Sequence, residues 1–278
     1  MITQLSLGNF KSFKNLAELN IKDLTVISGK NSTGKSTIFQ SLLLLKQSLV
    51  DSSHDALTLE GKYLHLSHLK EIAFGLPQEA SAKIIYTIKL IDSLQKESYI
   101  KLEFRYKKNP STNRKGVVVN YFSWTNSDQQ KIELKLHKGQ YKLPKSNMLL
   151  ENKLPTLDFE LVEFNNFLPS RALSLLKSIN DSSNQRIYIP FDFFNRELGI
   201  AIDDLKQEIL KMSYLGPVRA FPKRAYIHYS SSLYELDDDG SNAAYIFFLR
   251  KKEKVQYKNE TIELQAAVIK AFELLGLS

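Results

Sequence analysis

Apolar and polar positions alternate through residues 2 to 10, with Ile2, Leu5, Leu7 and Phe10 on the apolar side. That period predicts a strand. Lys11-Ser12-Phe13-Lys14 reads as a turn, and residues 16 to 22 as a second strand paired with the first. Leu24-Thr25-Val26-Ile27 is a short apolar run closed by Ser28-Gly29, which predicts a buried strand. From Lys35 onward the spacing changes. Ile38, Leu42 and Leu45 fall on one face of a helix, at intervals of four and three. Residues 51 to 61 read as a loop. Residues 62 to 74 read as a short helix or turn that points Leu64, Leu66, Leu69 and Ile72 inward.

The middle of the chain returns to short β-rich runs: Ile84 to Ile88, Tyr99 to Phe104, Val117 to Phe122 and Ile132 to Leu136. Turn-rich segments such as Asn109-Pro110-Ser111-Thr112-Asn113 separate them, which predicts an antiparallel sheet or meander. Helical spacing resumes over 170 to 180 and 196 to 211. Met212-Ser213-Tyr214-Leu215 reads as a strand ended by Gly216-Pro217. Asp239-Gly240-Ser241-Asn242 reads as a turn that caps a helix over 242 to 252, and residues 260 to 276 as an amphipathic helix. The expectation is one α/β domain over 1–278. It has an N-terminal lobe (1–75), an inserted antiparallel β region (80–165) and an α-rich continuation (170–278).

Composition narrows the function classes. Hydrophobic residues make up 43% and charged residues 24%, ordinary for a globular chain that buries a core. There is no cysteine, so disulfides and thiolate metal sites are excluded and a reducing, cytoplasmic setting is expected. The start Met1-Ile2-Thr3-Gln4 has no charged-then-apolar signal pattern. The longest apolar run, Leu42 to Leu45, is far too short to span a bilayer, so no membrane role is expected. The five histidines lack metal-ligand spacing. The formal net charge of +8 raises a polyanion as partner.

The chemistry concentrates in one stretch. Gly29-Lys30-Asn31-Ser32-Thr33-Gly34-Lys35-Ser36 matches G-x-x-x-x-G-K-[ST], the phosphate-binding loop. Gly29 and Gly34 let the backbone turn so that successive N–H groups face phosphate oxygens. The helix that starts near Lys35 adds its positive end. Lys35 reaches the β- and γ-phosphates, and the Ser36 hydroxyl takes one place on Mg²⁺. Thr37 contacts the α-phosphate side. In a chain of this length a chance match is on the order of one in a hundred. The predicted strand before the loop and helix after it are the setting the motif requires. ATP and Mg²⁺ are therefore the expected ligands.

Beyond the loop, Leu7-Gly8-Asn9-Phe10-Lys11-Ser12-Phe13 followed by Ile27 to Thr37 resembles the start of ABC-type ATPases of the SMC/RecF/OLD branch. There "NFKSF" follows the first strand, and an Asn, here Asn31, sits inside the phosphate loop. Phe39-Gln40-Ser41-Leu42-Leu43-Leu44-Leu45 looks like the same group. Tyr214-Leu215-Gly216-Pro217-Val218-Arg219-Ala220-Phe221-Pro222-Lys223-Arg224 resembles a segment of OLD-like ("overcoming lysogenization defect") ATPases, several of them associated with phage defence. Asp239 to Ala244 looks like the turn and helix start that follow it there. The resemblance implies a P-loop head of α/β class in which two heads sandwich two ATP molecules, giving a homodimer or higher oligomer. It places Lys11, Ser12 and Phe13 near the adenine or phosphates. It also implies an acidic strand end that activates water, a signature helix facing the other head's γ-phosphate, and often a C-terminal nuclease.

The chain departs from that pattern. Leu233-Tyr234-Glu235-Leu236-Asp237-Asp238-Asp239 is the nearest approach to the acidic strand end, and a solvated acidic loop is the simpler reading. No signature motif follows. The expectation is the N-terminal portion of a longer ATPase, or a form that binds nucleotide without efficient turnover. Gln40, Gln47 and Gln78 are each available as the glutamine that would position Mg²⁺ or water. Basic clusters at Arg105, Lys107 and Lys108 and at Arg219, Lys223 and Arg224 are candidate nucleic-acid or head-dimer contacts, the first also readable as a solvated hairpin edge. The expected function is an ATP-driven head that regulates a nuclease or toxic effector in antiviral defence and acts with nucleic acid. A RecF/SMC-like repair ATPase and a nucleotide-dependent interaction module without turnover are the alternatives.

Overall fold

The computed structural model describes residues 1–51, 55–109, 114–141, 157–177, 184–190, 195–217, 220–221 and 236–276. Its contacts divide the chain into two units, Met1–Lys211 and Met212–Ser278.

The first unit is built on a seven-stranded sheet. Its strands are β1 (Ile2–Phe10), β2 (Phe13–Asn20), β3 (Lys83–Ile91), β4 (Glu97–Lys108), β5 (Lys115–Asn126), β6 (Lys131–His137) and β7 (Gln140–Tyr141). They lie in the order β2-β1-β3-β4-β5-β6-β7, and every pair is antiparallel. The alternation in the sequence is the cause. Ile84, Tyr86, Ile88 and Leu90 of β3 are buried, and so are Ile100, Leu102 and Phe104 of β4, while the residues between them face outward. The meander predicted for the middle of the chain is present. Because β1 pairs directly with β3, it is continuous with the N-terminal hairpin.

Helix α1 (Lys35–Val50) packs on the buried face of this sheet. Tyr86 ties the two layers, donating its hydroxyl to the Ser41 carbonyl of α1 at 3.1 Å. Burial there pushes the Tyr86 phenol well above its ordinary pKa. Edge-to-face ring contacts run from Phe10 to Tyr86 to Phe104 to Phe167, with centroids 5.8, 5.9 and 6.3 Å apart. A second sheet of three antiparallel strands, β8 (Leu157–Asn165), β9 (Leu168–Lys177) and β10 (Asn184–Pro190), and helix α2 (Arg196–Lys211) complete the unit. Helix α2 matches the predicted boundaries and buries Leu198, Ala201, Ile202, Leu205 and Ile209.

The second unit holds α3 (Ala243–Arg250), a hairpin of β11 (Lys254–Tyr257) and β12 (Glu260–Glu263), and α4 (Leu264–Leu274). Among its described residues, Ala267 is the buried apolar side chain, while Phe248, Phe272, Leu274 and Leu275 are exposed.

Four expectations need correction. Leu24-Thr25-Val26-Ile27 is not a buried strand: Leu24 is 82% and Val26 80% exposed, and neither belongs to a ladder. A strand buries its backbone only when neighbours pair with it, and the described residues supply none there. The described part of 170–180 is strand β9, not helix. Its Leu- and Ala-rich composition favours helix locally, and pairing on both sides with β8 and β10 overrides that weak preference. Met212 to Leu215 form no strand. The last helix begins at Leu264, because residues 260 to 263 pair with β11 first.

Candidate functional site

The phosphate loop follows Ile27, which lies in no strand, and enters α1 at Lys35. Its backbone bends at Gly29 (φ 153°), Ser32 (φ 63°) and Gly34 (φ 97°). Gly34 is the N-cap of α1 and has no side chain to satisfy the helix's first N–H groups. The first turn also carries no acidic residue, so the positive end of the helix is open to an anion. Thr33 donates its hydroxyl to the Lys30 carbonyl at 2.8 Å and closes the loop on itself. The Lys35 ammonium sits inside the turn, donating to the carbonyls of Gly29 at 2.7 Å and Lys30 at 2.6 Å. It has three N–H donors, so one remains for an incoming oxygen. Lys30, Asn31, Ser32, Thr33 and Ser36 are exposed, and Thr37 is buried beneath them.

The turn between β1 and β2 reaches this loop. Lys11 takes a left-handed backbone (φ 44°) and donates its N–H to the Ile72 carbonyl at 2.6 Å. Phe10 bridges to Ala73 from the same turn. Held this way, Phe13 lays its ring against the loop. A Cβ added to Gly34 would stand 2.8 Å from Phe13 Cζ, so only glycine fits this close approach with this φ. The Lys11 ammonium donates to Gln40 Oε1 of α1 at 2.8 Å, and burial lowers its pKa. The structure thus places Lys11 and Phe13 around the start of α1, with Ser12 exposed at the tip of the turn.

The three glutamines separate by environment. Gln47 is buried and structural: its Nε2 donates to the Thr58 carbonyl at 2.6 Å, and its Oε1 accepts from the Leu64 N–H at 3.0 Å. Gln78 is exposed ahead of a 3-10 turn over Glu79–Ser81. Gln40 is the one beside the loop, through its bond to Lys11. Spacing alone could not rank them, because the three differ only in what folds over them.

The acidic run is a self-closing turn in its described part. Asp237 accepts from the Ser241 hydroxyl at 3.2 Å, and the Ser241 N–H donates to Asp239 at 2.8 Å. The turn ends at Asn242, which stands at the N-cap of α3 as expected, and its side-chain oxygen accepts from the Asp237 N–H at 2.9 Å rather than from the helix. Among the basic candidates, Arg105 pairs with Glu103 at 2.7 Å, Lys107 donates to Asn120 at 2.6 Å, and Lys108 is exposed at the strand end. Arg219, Lys223 and Arg224 lie outside the described residues, as do Leu233, Tyr234 and Glu235. No described helix is long and apolar enough to cross a membrane.

A family model described as an AAA ATPase domain matches residues 1–272. No curated protein matches the chain.

Proposed function

From the premise that this chain belongs to the AAA ATPase domain family, we propose that it is an ATP-binding head whose nucleotide-driven dimerisation regulates a nuclease or toxic effector in antiviral defence. ATP binding itself follows from the family. The observation that carries the reading is the open N-terminal end of α1, with the Lys35 ammonium preset within the turn that precedes it. The residues present fit a nucleotide phosphate. The loop N–H groups and Lys35 bind it, the exposed Ser36 hydroxyl can join Mg²⁺, and Lys11 and Phe13 flank it. Bound Mg²⁺ would supply charge neutralisation on the phosphates.

Turnover needs a carboxylate that activates water, and among the described residues none pairs with Lys30 or Lys35. The resemblance of Tyr214–Arg224 to a segment of OLD-like ATPases supports the defence role, and the +8 charge supports a nucleic-acid partner.

The test is titration with a fluorescent ATP analogue and Mg²⁺. Lys35→Ala removes a charged donor worth about 1.5–3 kcal/mol, a loss of roughly 10- to 150-fold in affinity. Undiminished binding by Lys35→Ala would sink the assignment. Brisk steady-state hydrolysis by the 278-residue chain alone would instead show that it carries its own general base.

A further inference from the structure

The seven-stranded sheet has two faces, and α1 with the phosphate loop occupies only one. On the other, Tyr99, Lys101, Lys131 and Lys135 are exposed among the described residues. Register fixes its rows across β3, β4, β5 and β6. Lys89, Tyr99, Thr125 and Lys131 form one row; Thr87, Lys101, Ser123 and Glu133 the next; Ile85, Glu103, Tyr121 and Lys135 the third. Lys83 stands opposite Arg105 beyond them, and Lys107 continues β4.

Seven cations thus share this face with three carboxylates, Glu97, Glu103 and Glu133, a net of +4 in a chain whose total is +8. The carboxylates are used up locally. Glu97 holds Lys89 at 2.9 Å, Glu103 holds Arg105 at 2.7 Å, and Glu133 holds Lys131 at 2.7 Å. Lys101 and Lys135 are exposed, in adjacent rows, and have no partner among the described residues. Lys101 is flanked in its row by the short side chains of Thr87 and Ser123, which leave its ammonium uncovered. Beside it Tyr99 is 39% exposed, with the Lys89 ammonium 5.3 Å from its ring centre.

We propose that this face binds single-stranded nucleic acid, with Lys101 and Lys135 on backbone phosphates and a base stacked on Tyr99. A surplus of cations on an open, shallow surface suits a phosphodiester chain, because each contact releases condensed counterions. An exposed ring on a sheet surface suits an unpaired base, which offers a π-face that a base inside a duplex does not. The nucleotide loop lies on the opposite side, so this charge serves a different ligand. The inference deepens the nucleic-acid partnership proposed above and gives it a surface.

The test is fluorescence anisotropy with a labelled oligo-dT at several salt concentrations, with the ATP analogue titrated separately on the same proteins. Wild type binds the oligo-dT. Lys101→Ala with Lys135→Ala binds it more weakly, and the slope of log affinity against log salt falls by about 1.4, at about 0.7 per single-strand phosphate contact. Tyr99→Ala weakens binding about fivefold or more, with the salt slope unchanged. All three proteins bind the ATP analogue alike, which reports an intact fold and separates this face from the nucleotide site. Unchanged oligo-dT binding by the double variant would overturn the proposal. Equal affinity of wild type for a duplex of the same length, or equal competition by polyglutamate, would do the same.

Discussion

Two apolar runs of similar composition meet opposite fates. Ile84-Ile85-Tyr86-Thr87-Ile88 is strand β3, with Ile84, Tyr86 and Ile88 at 0% exposure. Leu24-Thr25-Val26-Ile27 leads into the phosphate loop with Leu24 and Val26 at 82% and 80% exposure. Both are β-branched-rich and both read from the sequence as strands, the first in an antiparallel sheet and the second as a buried strand. The difference is supply of neighbours. Strand β3 sits between β1 and β4 and is paired along its whole length, while the run at 24–27 has no strand beside it among the described residues. Among the described residues β3 has a neighbour on each side, and the leg that carries the nucleotide loop has none.

The largest test of this contrast lies in the sheet. Phe104 is fully buried between Tyr86 and Phe167, so Phe104→Ala should destabilise the first unit by about 3–5 kcal/mol, read by denaturant melts. A loss below about 1 kcal/mol would mean that the sheet core is not what holds this unit together.

Gly34→Ala joins the two regions. Its added methyl meets the Phe13 ring and its backbone is left-handed, so ATP-analogue binding should fall sharply while the melt shifts by about 1–3 kcal/mol. Adding Phe13→Ala should relieve the clash but not the backbone strain. Full recovery of binding in that double variant would show that Phe13 contact alone explains the requirement for glycine.

The smallest effect belongs to the exposed leg. Leu24→Ser with Val26→Ser should change stability by less than about 0.5 kcal/mol, since neither side chain is buried. A large loss would reveal a partner that already covers this segment in solution, and would erase the contrast with β3.

The sequence by itself determined the loop and the elements whose bonds are local. G-x-x-x-x-G-K-S names the phosphate cradle because the glycines and the lysine act within eight residues of one another. Helix α2 is legible end to end because its hydrogen bonds close within one turn and its apolar stripe is a fixed period. The β3–β6 meander is legible because alternation with turns between is also a short-range code. Tertiary structure alone decided whatever depends on a distant neighbour. It made 168–177 a strand against local helix preference, and it left 24–27 unpaired. It also set Phe13 on Gly34 and Lys11 on Gln40, and put Lys101 and Lys135 in adjacent rows on either side of β5. Strand pairing and side-chain contact join residues tens of positions apart, and no local period records which of them will meet.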